Sequence, residues 1–212
     1  MSSLLGQVVP MALAAAISPV IFLLQLNTLT GSRGLVRGSA LTAGAAVVLA
    51  VLSTIGVALG DTGFSTNDQL QAVIDIAFGV LLVAVGLRPL LRPAAPKPSK
   101  EPKRQGIVGS FLAGAAAMAS NLTTFALYTP ALALIAGSGL PLAQRGLAAL
   151  IIFLITLMVA WVPLILAAAV PGASSRLLPA LGRWMTANNR WIQVVLGFGF
   201  GIWLVAKGAS GL

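Results

Sequence analysis

Six long apolar runs, separated by short stretches of glycine, proline and charge, constrain this chain more than any other feature. A helix that crosses a bilayer needs about 20 predominantly apolar residues. The runs Leu4–Leu29, Val36–Leu59, Leu70–Leu91, Ile107–Ala136, Ala143–Val170 and Trp191–Ala206 qualify. Only 8% of residues are charged, against about 25% in water-soluble domains. The expected class is therefore an all-α integral membrane protein of six transmembrane helices. Leu4–Leu29 reads as a retained span, because no Lys or Arg precedes it to make the basic start of a cleaved signal.

The same composition excludes much chemistry. Cysteine and histidine are both absent and only four acids exist, Asp61, Asp68, Asp75 and Glu101. Thiol chemistry, disulfides and thiolate or imidazole metal sites are ruled out. No catalytic residue, metal site or cofactor is expected, and the chain does not read as an enzyme. No GxxxxGK[ST] phosphate loop occurs. The net charge of +9 is no nucleic-acid signal, because the basic residues lie between the apolar runs. Such a pattern sets topology. With both termini outside, the inside connectors hold 11 of the 13 basic residues, leaving Arg145 and Lys207 outside. The chain then divides into a first half (1–91), a basic, proline-rich cytoplasmic linker (92–106) and a second half (107–212). The segment Ser174–Thr186 puts Leu177, Leu181 and Trp184 on one face, so it reads either as a short interfacial helix or as a loop.

A repeat relates the third and sixth runs at a shift of 122 positions. Asn67, Gln71, Phe78, Gly79, Leu82, Val83, Ala84 and Gly86 recur as Asn189, Gln193, Phe200, Gly201, Leu204, Val205, Ala206 and Gly208. Arg37-Gly38 parallels Arg145-Gly146, and at a shift of 103 Ser18 meets Asn121 and Phe22 meets Phe125. Three spans is an odd number, so two such repeats must be inverted in the membrane. Inverted repeats with interrupted helices are the pattern of secondary transporters, which bind near the midplane.

Two runs carry interruptions of this kind. Pro19 lies about 22 Å into the first span, and Asn121 about 21 Å into the fourth from the other side, at about 1.5 Å per residue. Proline has no N–H and displaces the carbonyl four residues earlier, that of Ala15. A polar backbone group freed at that depth needs protein or a wet cavity. Ser18, Phe22 and Gln25 share one helical face; Asn121, Thr124, Phe125 and Tyr128 share another, with Ser120 beside Asn121. These eight residues with Pro19 are the candidate substrate-binding set, as walls of a cavity. The competing reading makes Ser18 and Asn121 packing bonds between helices, each contributing about 0.6 kcal/mol. GFGFG, Gly197–Gly201, fits close helix approach. Asp75, the one acid within a span, is either a coupling-proton carrier or, the favoured reading, a solvated interfacial carboxylate.

The first span with its Ser-Pro, the RGLVRGSALTAG segment, the basic linker and ASNLTTF in the fourth span carry a resemblance. Together they resemble the lysine-exporter superfamily and are most similar to its GAP family, the glycopeptidolipid or sulfolipid addressing proteins of actinobacteria. That family's fourth span reads Asn-Pro-Lys, whereas Leu122 and Thr123 follow Asn121 here. The resemblance implies export of a lipid or lipid-linked amphiphile across the cytoplasmic membrane. Membrane lipids and a lipid or small-molecule substrate are the implied partners, and a homo-oligomer is compatible with the sequence. Two alternatives stay open: export of amino acids or other small metabolites, and a non-transporting scaffold for cell-envelope lipid machinery.

Overall fold

A computed structural model describes residues 1–30, 33–60, 68–91 and 106–211. The connector bearing Asp61, the Asn67 of the repeat and the basic linker up to Gln105 lie outside the described residues. Eight helices and no strand make up what is described: α1 Ser2–Ala16, α2 Pro19–Leu29, α3 Gly34–Leu59, α4 Asp68–Leu91, α5 Ile107–Ala119, α6 Leu122–Ala136, α7 Leu142–Ala169 and α8 Pro171–Ala209. Four of them, α3, α4, α7 and α8, are long and apolar enough to cross a bilayer. The pairs α1–α2 and α5–α6 reach that length only together, bent by 53° and 67° at their breaks.

The outer faces are bare hydrocarbon. Val47, Val51 and Ile55 on α3 and Leu147, Leu150 and Leu154 on α7 are exposed. An apolar surface this extensive is stable facing lipid, not water. Because lipid is as apolar as leucine, the helices are held by close packing of small residues and by buried polar bonds. Glycine supplies the close packing. A methyl group on Gly44 would overlap the backbone of Phe111 in α5, and one on Gly114 the backbone of Leu41 in α3.

The halves of the chain interlock. α4 packs on α8, α3 on α5 and α7, and α1 on α6 and α7. The α4–α8 crossing follows the 122-residue shift. A methyl on Gly79 would come within 2.8 Å of the Gly201 carbonyl and 2.8 Å of Val205, and one on Gly201 within 2.8 Å of the Gly79 carbonyl and 2.8 Å of Val83. Gly197 meets Gly86, while Gly199 faces open space. Two of the three glycines in GFGFG therefore serve close approach.

One element differs clearly from the sequence expectation. The stretch from Pro171 to Arg190 is neither a loop nor a separate short helix but the first half of α8, a single helix of 39 residues. Pro171 occupies its first turn, where proline's missing N–H costs nothing. Leu177, Leu181 and Trp184 are exposed on it as one apolar face, and Leu178 and Met185 are buried against the bundle.

Candidate functional site

The two breaks lie against each other. α1 ends at Ala16, and Ser18 caps α2, its Oγ accepting the Ile21 N–H at 3.4 Å. α5 ends at Ala119, and Asn121 caps α6, its Oδ1 accepting the Thr124 N–H at 3.3 Å. Ser and Asn are favoured at caps because their side chains satisfy an N–H that has no partner in the first turn. Each cap also serves the other. Asn121 Nδ2 donates to Ser18 Oγ at 2.8 Å.

Proline's displaced carbonyl finds its partner here. Thr124 Oγ1 donates to the Ala15 carbonyl at 3.1 Å, a bond between groups 109 residues apart and buried from solvent. Within α1–α2 the chain turns through short bonds, Ile17 N–H to Ala14 and Ser18 N–H to Ala16. None of these uses the Ala15 oxygen. The second broken helix thus completes the hydrogen bonding of the first.

Away from the break the same faces tie down α3. Gln25, fully buried, donates from Nε2 to the Gly38 carbonyl at 3.3 Å and to Thr42 Oγ1 at 3.4 Å. Its Oε1 is buried without a partner among the described residues. Tyr128, also fully buried, shares a 2.6 Å hydrogen bond with Ser53 on α3. Ser53 was not among the sequence candidates; its tyrosine partner is 75 residues away, and no local pattern links them.

The structure therefore brings together Ser18, Pro19, Asn121 and Thr124, and sets Gln25 and Tyr128 on α3 at either side. Phe22 is buried beside the break and lines an apolar cavity of about 570 Å³ with Ala16, Ile17, Trp184 and Met185. Phe125 is only half-buried. Ser120 does not join the set: it is exposed, and its hydroxyl bonds back to the Ala116 carbonyl at 2.7 Å. The polar groups expected to face each other across a cavity are instead bonded directly to one another.

Two charged residues are held by partners distant in sequence. Asp75 is not a solvated interfacial carboxylate. It is 1% exposed, and its carboxylate accepts from Lys207 Nζ at 2.6 Å and from Gln71 Nε2 at 2.8 Å. A partner 132 residues away on α8 makes its burial tolerable. Arg145, in the first turn of α7, is buried and donates from Nη1 to the Val57 carbonyl at 3.2 Å. A cation suits that spot because the last carbonyls of α3 carry partial negative charge.

Charge-poor helices with apolar outer faces, two of them broken and bonded at their breaks, define a multi-pass membrane protein with a polar junction inside. The chain belongs to the family described as Sap, sulfolipid-1-addressing protein, whose model matches residues 8–210. No curated protein and no solved structure matches the chain.

Proposed function

We propose that the protein exports a lipid or lipid-linked amphiphile across the cytoplasmic membrane, through a midplane site where two inverted three-helix repeats meet. The observation that carries this reading is the mutual completion of the two breaks, Asn121 to Ser18 and Thr124 to the Ala15 carbonyl. Non-helical backbone at membrane depth is stable only where protein or a cavity satisfies it, and a simple anchor has no use for such a junction. Counting each bent pair as one span gives six, and the bias of Lys and Arg favours both termini outside. The reciprocal Gly79–Gly201 contacts fit a two-fold relation between the halves. Membership of a sulfolipid-addressing family supports a lipid cargo, as does the scarcity of charge that a free zwitterion would need.

The test uses purified protein in liposomes loaded with a fluorescent lipid, with accessibility followed in each leaflet. Movement by the protein alone is expected, and Asn121→Leu should abolish it in a protein that still inserts. If the wild type moves no lipid, the scaffold reading replaces this one.

A further inference from the structure

A cavity lies away from the break, where the start of α3 and the end of α2 meet the first half of α8. It measures about 830 Å³, within the range of about 300–1,000 Å³ typical of ligand sites. Leu23, Leu26 and Leu178 make an apolar wall; Asn27, Thr30 and Arg183 are polar groups among its other lining residues. Arg183 has no hydrogen bond or ion pair with any described residue, unlike Lys207, the cation bonded to Asp75. A lone guanidinium beside an apolar chamber is suited to an anionic head on an apolar tail.

Among the described residues the charge around it is of one sign. Arg176, Arg183 and Arg190 recur every seven residues, so they follow one stripe of α8. Arg33 caps α3 beside Gly34, which itself lines the cavity. Asp75, the one acid whose side chain is described, is far away: it is bonded to Lys207, about 36 Å along α8 from Arg183 at about 1.5 Å per residue. Exposed Leu177, Leu181 and Trp184 flank Arg183, the mixture of aromatic and basic residues that sits at headgroup level.

We propose that this cavity binds one anionic phospholipid of the leaflet it faces. Arg183 takes the headgroup phosphate, Asn27 and Thr30 bond its remaining oxygens, and an acyl chain lies against Leu23, Leu26 and Leu178. The site goes beyond the export reading and stands whether or not the protein moves lipid.

Native mass spectrometry of the full-length protein, released from nanodiscs of equal phosphatidylglycerol and phosphatidylcholine, tests it without a transport assay. Wild type should retain one phosphatidylglycerol in preference to phosphatidylcholine. Arg183→Gln should weaken that retention about tenfold, the loss of a charge-assisted bond, with the melting temperature unchanged. Arg190→Gln, on the same stripe but outside the cavity, should retain the lipid as wild type does. Ala187→Phe, which fills the cavity from its wall, should lose both lipids. Equal losses in Arg183→Gln and Arg190→Gln would mean diffuse attraction and overturn the site, as would undiminished retention in Arg183→Gln. Displacement by inorganic phosphate at equal concentration would make the ligand a free anion and would overturn the lipid assignment.

Discussion

Replacing Thr124 by valine removes one hydroxyl from the junction and leaves its shape and its capped N–H in place. The lost bond is the one to the Ala15 carbonyl. That oxygen has no helical partner because residue 19 is proline, so in the variant it stays buried and unpaired. Leaving such a group unsatisfied costs about 1–3 kcal/mol. Pro19→Ala reverses the argument: residue 19 then carries an N–H four residues after Ala15, and the helix can supply the missing donor itself. In the Pro19→Ala background, Thr124→Val should therefore cost less than about 0.5 kcal/mol, the limit within which unrelated sites add. The two changes should be coupled by about 1–2 kcal/mol, as expected for groups sharing a partner. Equilibrium unfolding of the four proteins in mixed micelles, titrated with dodecyl sulfate, measures the cycle. Additive costs would refute the claim that Thr124 stands in for the N–H that proline lacks.

Three further outcomes are expected. Lys207→Ala strands a carboxylate that is 1% exposed and should cost about 3–5 kcal/mol. Asp75→Asn leaves an ammonium that is 24% exposed and can reach water, so it should cost much less; thermal melting of both variants checks the order. Gly79→Val and Gly201→Val meet mirrored obstacles at equal distances, so each should lose a similar 1–3 kcal/mol from overpacking; a large effect in one alone, again by melting, would break the two-fold relation. Because the chain has no cysteine, Ser99→Cys should be shielded from an impermeant thiol reagent in intact cells and Thr66→Cys should react; the reverse labelling would invert the proposed topology.

The breaks were legible because they are written in residues whose chemistry is local. Proline interrupts a helix wherever it sits, and a Ser or Asn in oil must bond to something. Their pairing was legible only as an alignment of Ser18 with Asn121, and the direct bond between them came from the structure. Features set by distant partners left no trace. Asp75 reads as exposed until Lys207 is beside it, and nothing local to Arg145 shows that it bonds the end of α3. Ser120 looked like Asn121's equal, but one residue of rotation at the end of α5 turns its hydroxyl back onto its own helix. The length of α8 was hidden because a helix lying against the bundle and a polar connector share the same mixture of Arg, Asn and Leu.

The bond from Thr124 to Ala15 also sets an order of events during synthesis. A ribosome adds about 5–20 residues per second, so the donor, 109 residues downstream, is made roughly 5–20 s after its acceptor. For that interval the first broken helix waits without the donor that this oxygen has in the folded protein, and bare hydrocarbon would penalise it. Water or the insertion machinery must hold that oxygen until the fourth run arrives. The first half of this protein is thus a dependent fragment, finished only when its counterpart enters the membrane, and severing the two genetically should leave a piece that inserts but does not settle.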